Sequence, residues 1–147
     1  MEKINIAIIG FGFMGKVYNS AVNNLNDYYP DIPEVQISSV LVSKNKSNSE
    51  IKKIKKRYGF SLVTSEIEDL LNDSTIDAFY IASPNNFHFE QVKLAIKHNK
   101  HVLCEKPMGM NVNETSKMLR MSSNKPGLVC NMVFEYRYIP AISEIKK

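Results

Sequence analysis

Short apolar segments alternate along this chain with segments whose apolar residues recur every three or four positions. The first apolar segment, residues 3–10, is rich in β-branched residues and nearly uncharged after Asn5, which is typical of a parallel strand buried on both faces. Similar segments follow at residues 35–42, 60–64, 76–82, 101–104 and 128–134. Strands that alternate with helices indicate βαβ units, so we predict an α/β fold with a parallel sheet.

The intervening segments have the period of amphipathic helices. The buried face of the first predicted helix is indicated by apolar residues at helical spacing, which are Met14, Val17, Ala21 and Leu25. A lysine-rich helix follows the second strand, and Gly59 ends it as a C-cap. Ser65–Glu68 has the form of a capping box that opens a short helix. Later helices are expected near Phe89 and Val112, and another opens around Pro140.

Length and composition place the chain among ordinary globular proteins. Its 147 residues suffice for one domain with a substantial core, and 44% apolar with 23% charged residues is neither a disordered nor a fibrous composition. The longest apolar runs, 6–9 and 78–82, are far shorter than the roughly 20 residues that cross a bilayer. The amino terminus has no secretory signal pattern, so we expect a cytoplasmic protein without a membrane partner.

Charge and cysteine content narrow the possible partners. The net charge of +4 is mild, and its densest run is the helical segment 52–57. No aromatic residues interleave these cations, which favours a solvated helix face and not a nucleic-acid site. Cys104 and Cys130 lie in apolar stretches and lack metal-ligand spacing with any histidine, so we expect buried, reduced thiols and no metal.

A Gly-x-Gly-x-x-Gly turn joins the first strand to the first helix. Its six residues, which we expect to contact a cofactor, are Gly10, Phe11, Gly12, Phe13, Met14 and Gly15. The first glycine makes a tight turn, the second lets a pyrophosphate approach the backbone, and the third lets helix and strand pack closely. The helix amino terminus offers free amides and a positive dipole end to phosphate. This context predicts a Rossmann-type doubly wound sheet that binds a dinucleotide; a glycine turn serving packing alone is the alternative.

The end of the second strand bears on which nicotinamide cofactor binds. NAD sites usually carry a carboxylate there, but Glu34 precedes the strand and so lies at the wrong edge of the sheet. The strand ends at Ser43, and Lys44 and Lys46 follow it. A hydroxyl with nearby ammonium groups attracts a 2′-phosphate, so we predict NADP in preference to NAD. Alternatively, both lysines are solvated loop residues and either cofactor is used.

Two further segments follow the fourth and fifth strands. They are Ser83-Pro84-Asn85-Asn86-Phe87-His88 and Glu105-Lys106-Pro107. Ligands of open α/β sheets bind at the carboxyl edge, so these loops and the glycine turn converge on one crevice. With these three motifs in this order, the chain resembles the glucose–fructose oxidoreductase, inositol dehydrogenase and MocA (Gfo/Idh/MocA) family. The resemblance continues to 136–140, which is similar to the Arg-x-x-Pro that begins the family's second domain.

The resemblance implies roles for the residues of these loops. Ser83, Pro84 and Asn85 would line the cofactor, and His88 would open the next helix beside it. Glu105 would approach the nicotinamide ribose. Lys106 would be the catalytic residue that polarises or positions the substrate oxygen, placed by a cis-prone Lys106-Pro107 bond.

Less specific roles stand beside these. His88 can instead serve packing or capping, because Asn85 and Asn86 already offer helix caps. Lys106 and Glu105 can be solvated residues at a strand end. His98 and His101 are expected at the opposite edge of the sheet.

The family resemblance also implies what this chain does. We expect residues 1–134 to be the NAD(P)-binding domain and 135–147 only the start of a second, α+β domain, which in the family carries the substrate site, a catalytic histidine and the oligomer interface. The full-length protein would be a homo-oligomeric oxidoreductase acting on the CH–OH group of a sugar, cyclitol or related polyol, and these 147 residues alone would not turn over substrate. The alternatives are a non-catalytic dinucleotide sensor or regulatory module and a Gly-rich methyltransferase.

Overall fold

A computed structural model of the protein describes residues 3–145 and contains a sheet of six parallel strands. The strands are β1 (Lys3–Ile9), β2 (Glu34–Leu41), β3 (Leu62–Thr64), β4 (Ala78–Ile81), β5 (His101–Cys104) and β6 (Cys130–Met132). Their order is β3-β2-β1-β4-β5-β6, and every neighbouring pair is parallel. This order has two halves that meet between β1 and β4, the topological switch point of a doubly wound sheet. The predicted Rossmann-type α/β fold is therefore confirmed.

Helices connect successive strands, and a last helix follows β6. They are α1 (Phe13–Asn23), α2 (Leu25–Tyr28), α3 (Asn48–Tyr58), α4 (Ile67–Leu71), α5 (His88–Lys97), α6 (Val112–Ser123) and α7 (Pro140–Ile145). Within residues 3–145, none of these helices has the length and apolarity that a membrane span requires.

Two apolar clusters cover the two faces of the sheet. Alternate residues of β1 point to opposite faces, so Ala7 and Ile9 belong to one cluster while Ile6 and Ile8 belong to the other. The first cluster receives side chains from α4, α5 and α6, and the second from α1 and α3. Burial on both faces explains why β1 is apolar along most of its length.

The buried face of α1 differs from the predicted one. Gly15, Asn19 and Val22 are buried, whereas Val17 is 46% exposed and Ala21 is exposed as well. Gly15 must lie against the turn after β1, and that contact fixes the rotation of the helix. The apolar period was therefore a wrong guide here, because the closest approach to the sheet is made by a residue without a side chain.

The helix caps also differ in part from the sequence pattern. Gly59 has φ +75° and ends α3 as predicted. The capping box predicted at Ser65 is wrong, because α4 begins at Ile67 and has no side-chain cap. The Thr64 hydroxyl instead accepts a hydrogen bond from the Glu66 amide. A full capping box forms at the start of α3, between Ser47 and Glu50.

β5 has its predicted bounds and β2 its predicted length, whereas the other four strands are shorter than their apolar segments. β6 has three residues although 128–134 is apolar, because β6 is an edge strand and pairs only with the four-residue β5. Beyond β6, a 3₁₀ turn (Glu135–Tyr138) leads to α7, which begins at the predicted Pro140. That residues 135–147 begin a second domain stays a prediction. The outermost residues of both predicted domains, 1–2 and 146–147, lie outside the described part of the chain.

Candidate functional site

The glycine turn lies against the loop that follows β4. Gly10 has φ +98°, and a Cβ atom there would come within 2.7 Å of the Ser83 backbone nitrogen and 2.8 Å of its Cα. Both the positive φ and this approach require glycine. The turn and the Ser83 loop are thus joined at the switch point between β1 and β4.

The other two glycines of the turn have opposite surroundings. A Cβ on Gly15 would overlap the carbonyl oxygen of Gly10, so this glycine serves close packing of helix and strand. Gly12 is exposed, and a Cβ there would meet no atom within 4 Å. Packing alone therefore does not explain Gly12, although it explains Gly10 and Gly15.

The amino terminus of α1 is open to a ligand. Gly12 is its N-cap residue, no side chain caps the first amides, and the first turn contains no acidic residue. By contrast, Ser47 caps α3 and Asn111 caps α6. Uncapped amides at a helix start carry partial positive charge, which suits an anionic group.

The side chains between the glycines point in different directions. Phe11 packs edge-on against Tyr58 and Phe60, with ring centroids 4.9 and 5.2 Å away, and so anchors the turn in the core. Phe13 is 80% exposed, and Met14 is half-buried. The Phe11 ring is therefore largely engaged by the protein, although it is only half-buried.

The loop after β2 contains the predicted Ser43 and Lys44, and both are exposed. The Lys44 ammonium lies 2.9 Å from a Glu66 carboxylate oxygen, and this hydrogen bond raises the pKa of Lys44. Lys46 makes a similar ion pair with Glu50 at 2.7 Å. Glu34 starts β2 at the opposite edge of the sheet, as expected. Both ammonium groups of the loop thus already have carboxylate partners.

The Ser83–His88 segment forms a 3₁₀ turn (Asn85–Phe87) followed by α5. The Ser83 hydroxyl donates to Gln91 Oε1 at 2.6 Å, Pro84 is exposed and Asn85 is half-buried. The predicted caps at Asn85 and Asn86 are wrong, since no side chain caps either the 3₁₀ turn or α5.

His88 opens α5, as expected, but its ring is buried. It is 1% exposed, and its two ring nitrogens lie 2.9 Å from the Ser83 carbonyl and 2.8 Å from the Pro107 carbonyl. The structure thus gives His88 a packing role that links two loops, with no ring nitrogen left for a cofactor. His98 and His101 lie at the opposite edge of the sheet, as predicted.

Glu105 is also buried, with 4% exposure. Its carboxylate accepts a 2.6 Å hydrogen bond from the Tyr80 hydroxyl and a 3.2 Å bond from the Lys106 amide. Tyr80 in turn stacks on Tyr18 of α1 at a centroid distance of 3.8 Å. Burial and the Glu105 carboxylate raise the pKa of Tyr80, which keeps the phenol protonated as a donor. The Glu105 carboxylate is therefore buried and is held by a hydrogen bond from a tyrosine of β4.

Lys106 is exposed, in contrast to the buried Glu105 before it. Its peptide bond to Pro107 is cis. The residue lines a cleft of about 470 Å³ together with Val133, Phe134, Glu135, Tyr136, Arg137 and Ile142. An exposed ammonium at the carboxyl edge, beside a cleft, can reach a small molecule.

Tyr80, Tyr18 and Gln91 are contributors that the sequence motifs did not reveal. A signal existed for Tyr80, because it places a hydroxyl in the otherwise apolar strand β4, and a buried tyrosine usually finds a hydrogen-bond partner. Tyr18 and Gln91 carried no comparable signal.

The surroundings of the turn fit a dinucleotide. The open space at Gly12 and the uncapped amides suit a pyrophosphate. The turn contacts the Ser83 loop after β4, and β4 pairs with β5, so Lys106 lies along the same edge of the sheet. Ligands of open α/β sheets bind at this switch point.

Comparison with known proteins agrees with this site. The Gfo/Idh/MocA family model, described as an oxidoreductase family with an NAD-binding Rossmann fold, matches residues 4–132. A levoglucosan dehydrogenase of Pseudarthrobacter phenanthrenivorans is 30% identical over 147 residues, covering all of this chain and 37% of that protein. A scyllo-inositol 2-dehydrogenase (NADP(+)) of Bacillus subtilis is 32% identical over 117 residues, covering 80% of this chain and 34% of that protein.

A solved structure of levoglucosan dehydrogenase in complex with NADH and L-sorbose superposes with a TM-score of 0.87 at 28% identity. The superposition covers 97% of this chain and 37% of that one. This chain thus spans little more than a third of the length of the relatives it matches.

Proposed function

This chain belongs to the Gfo/Idh/MocA oxidoreductase family, and from that premise we propose that it is the cofactor-binding part of an NAD(P)-dependent dehydrogenase. The proposed reaction is hydride transfer at a CH–OH group of a sugar, cyclitol or related polyol. One observation carries the proposal: an open, uncapped glycine turn touches the Ser83 loop at the switch point of the sheet.

The backbone of the turn would hold the pyrophosphate. The amides of the first turn of α1, from Phe13 to Gly15, would donate to its oxygens, and Gly12 leaves room for them. Ser83, Pro84 and Asn85 would line the same crevice. When bound, the nicotinamide supplies the hydride acceptor.

Lys106 would act on the substrate. Removal of hydride from an alcohol requires that the hydroxyl proton leave and that negative charge on the oxygen be stabilised. The Lys106 ammonium can donate a hydrogen bond to that oxygen, and its exposure at the cleft leaves it accessible. The hydroxyl proton would pass to a base in the rest of the enzyme, where the family resemblance implies a catalytic histidine. The buried Glu105 carboxylate accepts from the Lys106 amide and so fixes the backbone from which this side chain extends.

The substrate class rests on the relatives. Levoglucosan and scyllo-inositol, named in those dehydrogenases, suggest a polyhydroxylated ring for this protein too.

The first experiment is titration of the protein with NADH and NADPH, followed by coenzyme fluorescence. Saturable binding is expected, and its absence with both coenzymes would refute the proposal. In the complete enzyme, Lys106→Ala is expected to lose most of kcat while cofactor affinity is retained. Unchanged turnover would refute the role of Lys106, whereas a complete protein that binds coenzyme but turns over no polyol would favour a sensor or regulatory module.

For the cofactor, we propose NADP in preference to NAD. In support, the loop 43–46 contains no carboxylate and two ammonium groups. The Lys44–Glu66 pair is exposed, and such pairs are weak enough for a phosphate to compete with Glu66. Ser43→Asp is expected to shift preference toward NADH, whereas Ser74→Asp, at an exposed position before β4, is the matched control and should leave it unchanged. Tighter binding of NADH by the unaltered protein would contradict the preference.

A further inference from the structure

The hydrogen-bond partners of His88 determine the protonation of its ring. Both ring nitrogens face backbone carbonyl oxygens, at 2.8 Å from Pro107 and 2.9 Å from Ser83. A carbonyl oxygen only accepts hydrogen bonds, and a neutral imidazole has one N–H donor and one acceptor nitrogen. A neutral His88 would therefore hold a nitrogen lone pair against a carbonyl lone pair.

Burial makes such a mismatch costly. His88 is 1% exposed, so solvent cannot easily take the place of a missing donor. With both nitrogens protonated, each carbonyl receives a charge-assisted hydrogen bond, which is stronger than a neutral one. The partial negative charges of the two carbonyls also compensate the buried cation.

The two carbonyls belong to different parts of the site. Ser83 follows β4 and contacts the glycine turn, and Pro107 follows Lys106 after β5. The sheet joins β4 and β5 only up to the pairing of Ile81 with Cys104 and the bond from the Glu105 amide to the Ile81 carbonyl. Past that point, the His88 ring connects the two loops by hydrogen bonds.

We propose that His88 is a positioning residue whose imidazole, protonated on both nitrogens, holds the cofactor loop at Ser83 and the Lys106-Pro107 loop in fixed relation. The effect of this role on cofactor binding and catalysis rests on the proposed function. The protonation of the ring and the bridge between the loops do not depend on it.

The direct test is ¹⁵N NMR of the histidine rings in the unaltered protein at neutral pH. His88 is expected to show two protonated ring nitrogens. His101 is an internal reference. Its Nδ1 is expected to be unprotonated, because this atom accepts a 2.9 Å hydrogen bond from the Val129 amide. An unprotonated ring nitrogen in His88 would overturn the proposal.

A variant tests the positioning role. His88→Phe keeps the ring but removes both donors, so amide hydrogen exchange at Glu105 and Lys106 should accelerate and dinucleotide affinity should fall about tenfold or more. His101→Phe removes one hydrogen bond at the opposite edge and should leave affinity unchanged. If His88→Phe folds and keeps both exchange rates and affinity, the positioning role is refuted.

The NMR result stands even if that variant does not fold. If the unaltered protein binds neither coenzyme, the proposed function fails. The protonation of the His88 ring and the amide hydrogen exchange at Glu105 and Lys106 still decide the role of His88 in that case.

Discussion

Replacement of Gly12 by alanine should separate the binding role of the glycine turn from its structural role. An added Cβ at Gly12 meets no atom within 4 Å, and the φ of −82° there is negative. The expected loss of unfolding free energy is that of an alanine N-cap, below about 1 kcal/mol. The same methyl group would project into the space where the pyrophosphate is proposed to lie.

The expected loss of affinity follows from the amides at the start of α1. If the methyl displaces the phosphate from one charge-assisted hydrogen bond, about 1.5–3 kcal/mol is lost, which raises the dissociation constant roughly 10- to 150-fold. Coenzyme fluorescence measures this, and the protein contains no tryptophan to interfere.

Gly10→Ala is the structural counterpart. Alanine at φ +98° costs about 1–3 kcal/mol in the backbone. Displacement of the Ala82–Ser83 backbone just after β4, which a Cβ would approach within 2.7–2.9 Å, adds about 1–3 kcal/mol. Denaturation followed by circular dichroism should therefore show a loss of roughly 2–6 kcal/mol.

Gly127→Ala, also in open space, is the control and should change neither stability nor affinity appreciably. The reasoning is refuted if Gly12→Ala binds dinucleotide as tightly as the unaltered protein, or if Gly10→Ala is as stable as Gly12→Ala.

Three further outcomes are expected. Tyr80→Phe should lower the unfolding free energy by about 1.5–3 kcal/mol, because the buried Glu105 carboxylate loses a donor; unchanged stability in denaturant would contradict the bond. Hydrogen bonds, of which the one from Lys46 has the largest effect, lower the pKa of Glu50 from 4.5 to about 2. The contribution of Glu50 to stability is therefore complete above pH 4.5 and is lost as pH falls through about 2. Amide exchange in α3 should accelerate in that window, and a titration midpoint of Glu50 near 4.5 would contradict the lowered pKa. Burial raises the pKa of Cys104 to about 12, so alkylation at neutral pH should require unfolding, and rapid reaction of the folded protein would show the thiol to be accessible.

The sequence alone predicted the architecture, which the structure confirms, and it predicted a candidate site at one edge of the sheet. Apolar strands alternating with helices indicate a parallel sheet because such strands are buried on both faces, and β1 is so buried. The glycine turn could be recognised because its requirement is local: Gly10 has the positive φ expected of a tight turn. The position of each motif directly after a parallel strand likewise predicted that three loops share one edge.

Contacts within the site could not be predicted from the sequence, because they depend on which strands are neighbours. Tyr80 meets Glu105 since β4 pairs with β5, and Lys44 meets Glu66 since the loop after β2 lies beside the loop after β3. Each pair is more than 20 residues apart in sequence, with no local signal that joins its members.

The chain by itself thus determined its elements, their alternation and the glycine turn, since hydrophobic period and backbone conformation are properties of short segments. Only the tertiary structure decided the rotation of α1, the inward orientation of Glu105 and the two carbonyl partners of His88. A side chain's direction and protonation depend on the atoms that packing brings to it, and in this fold those atoms come from other strands and loops.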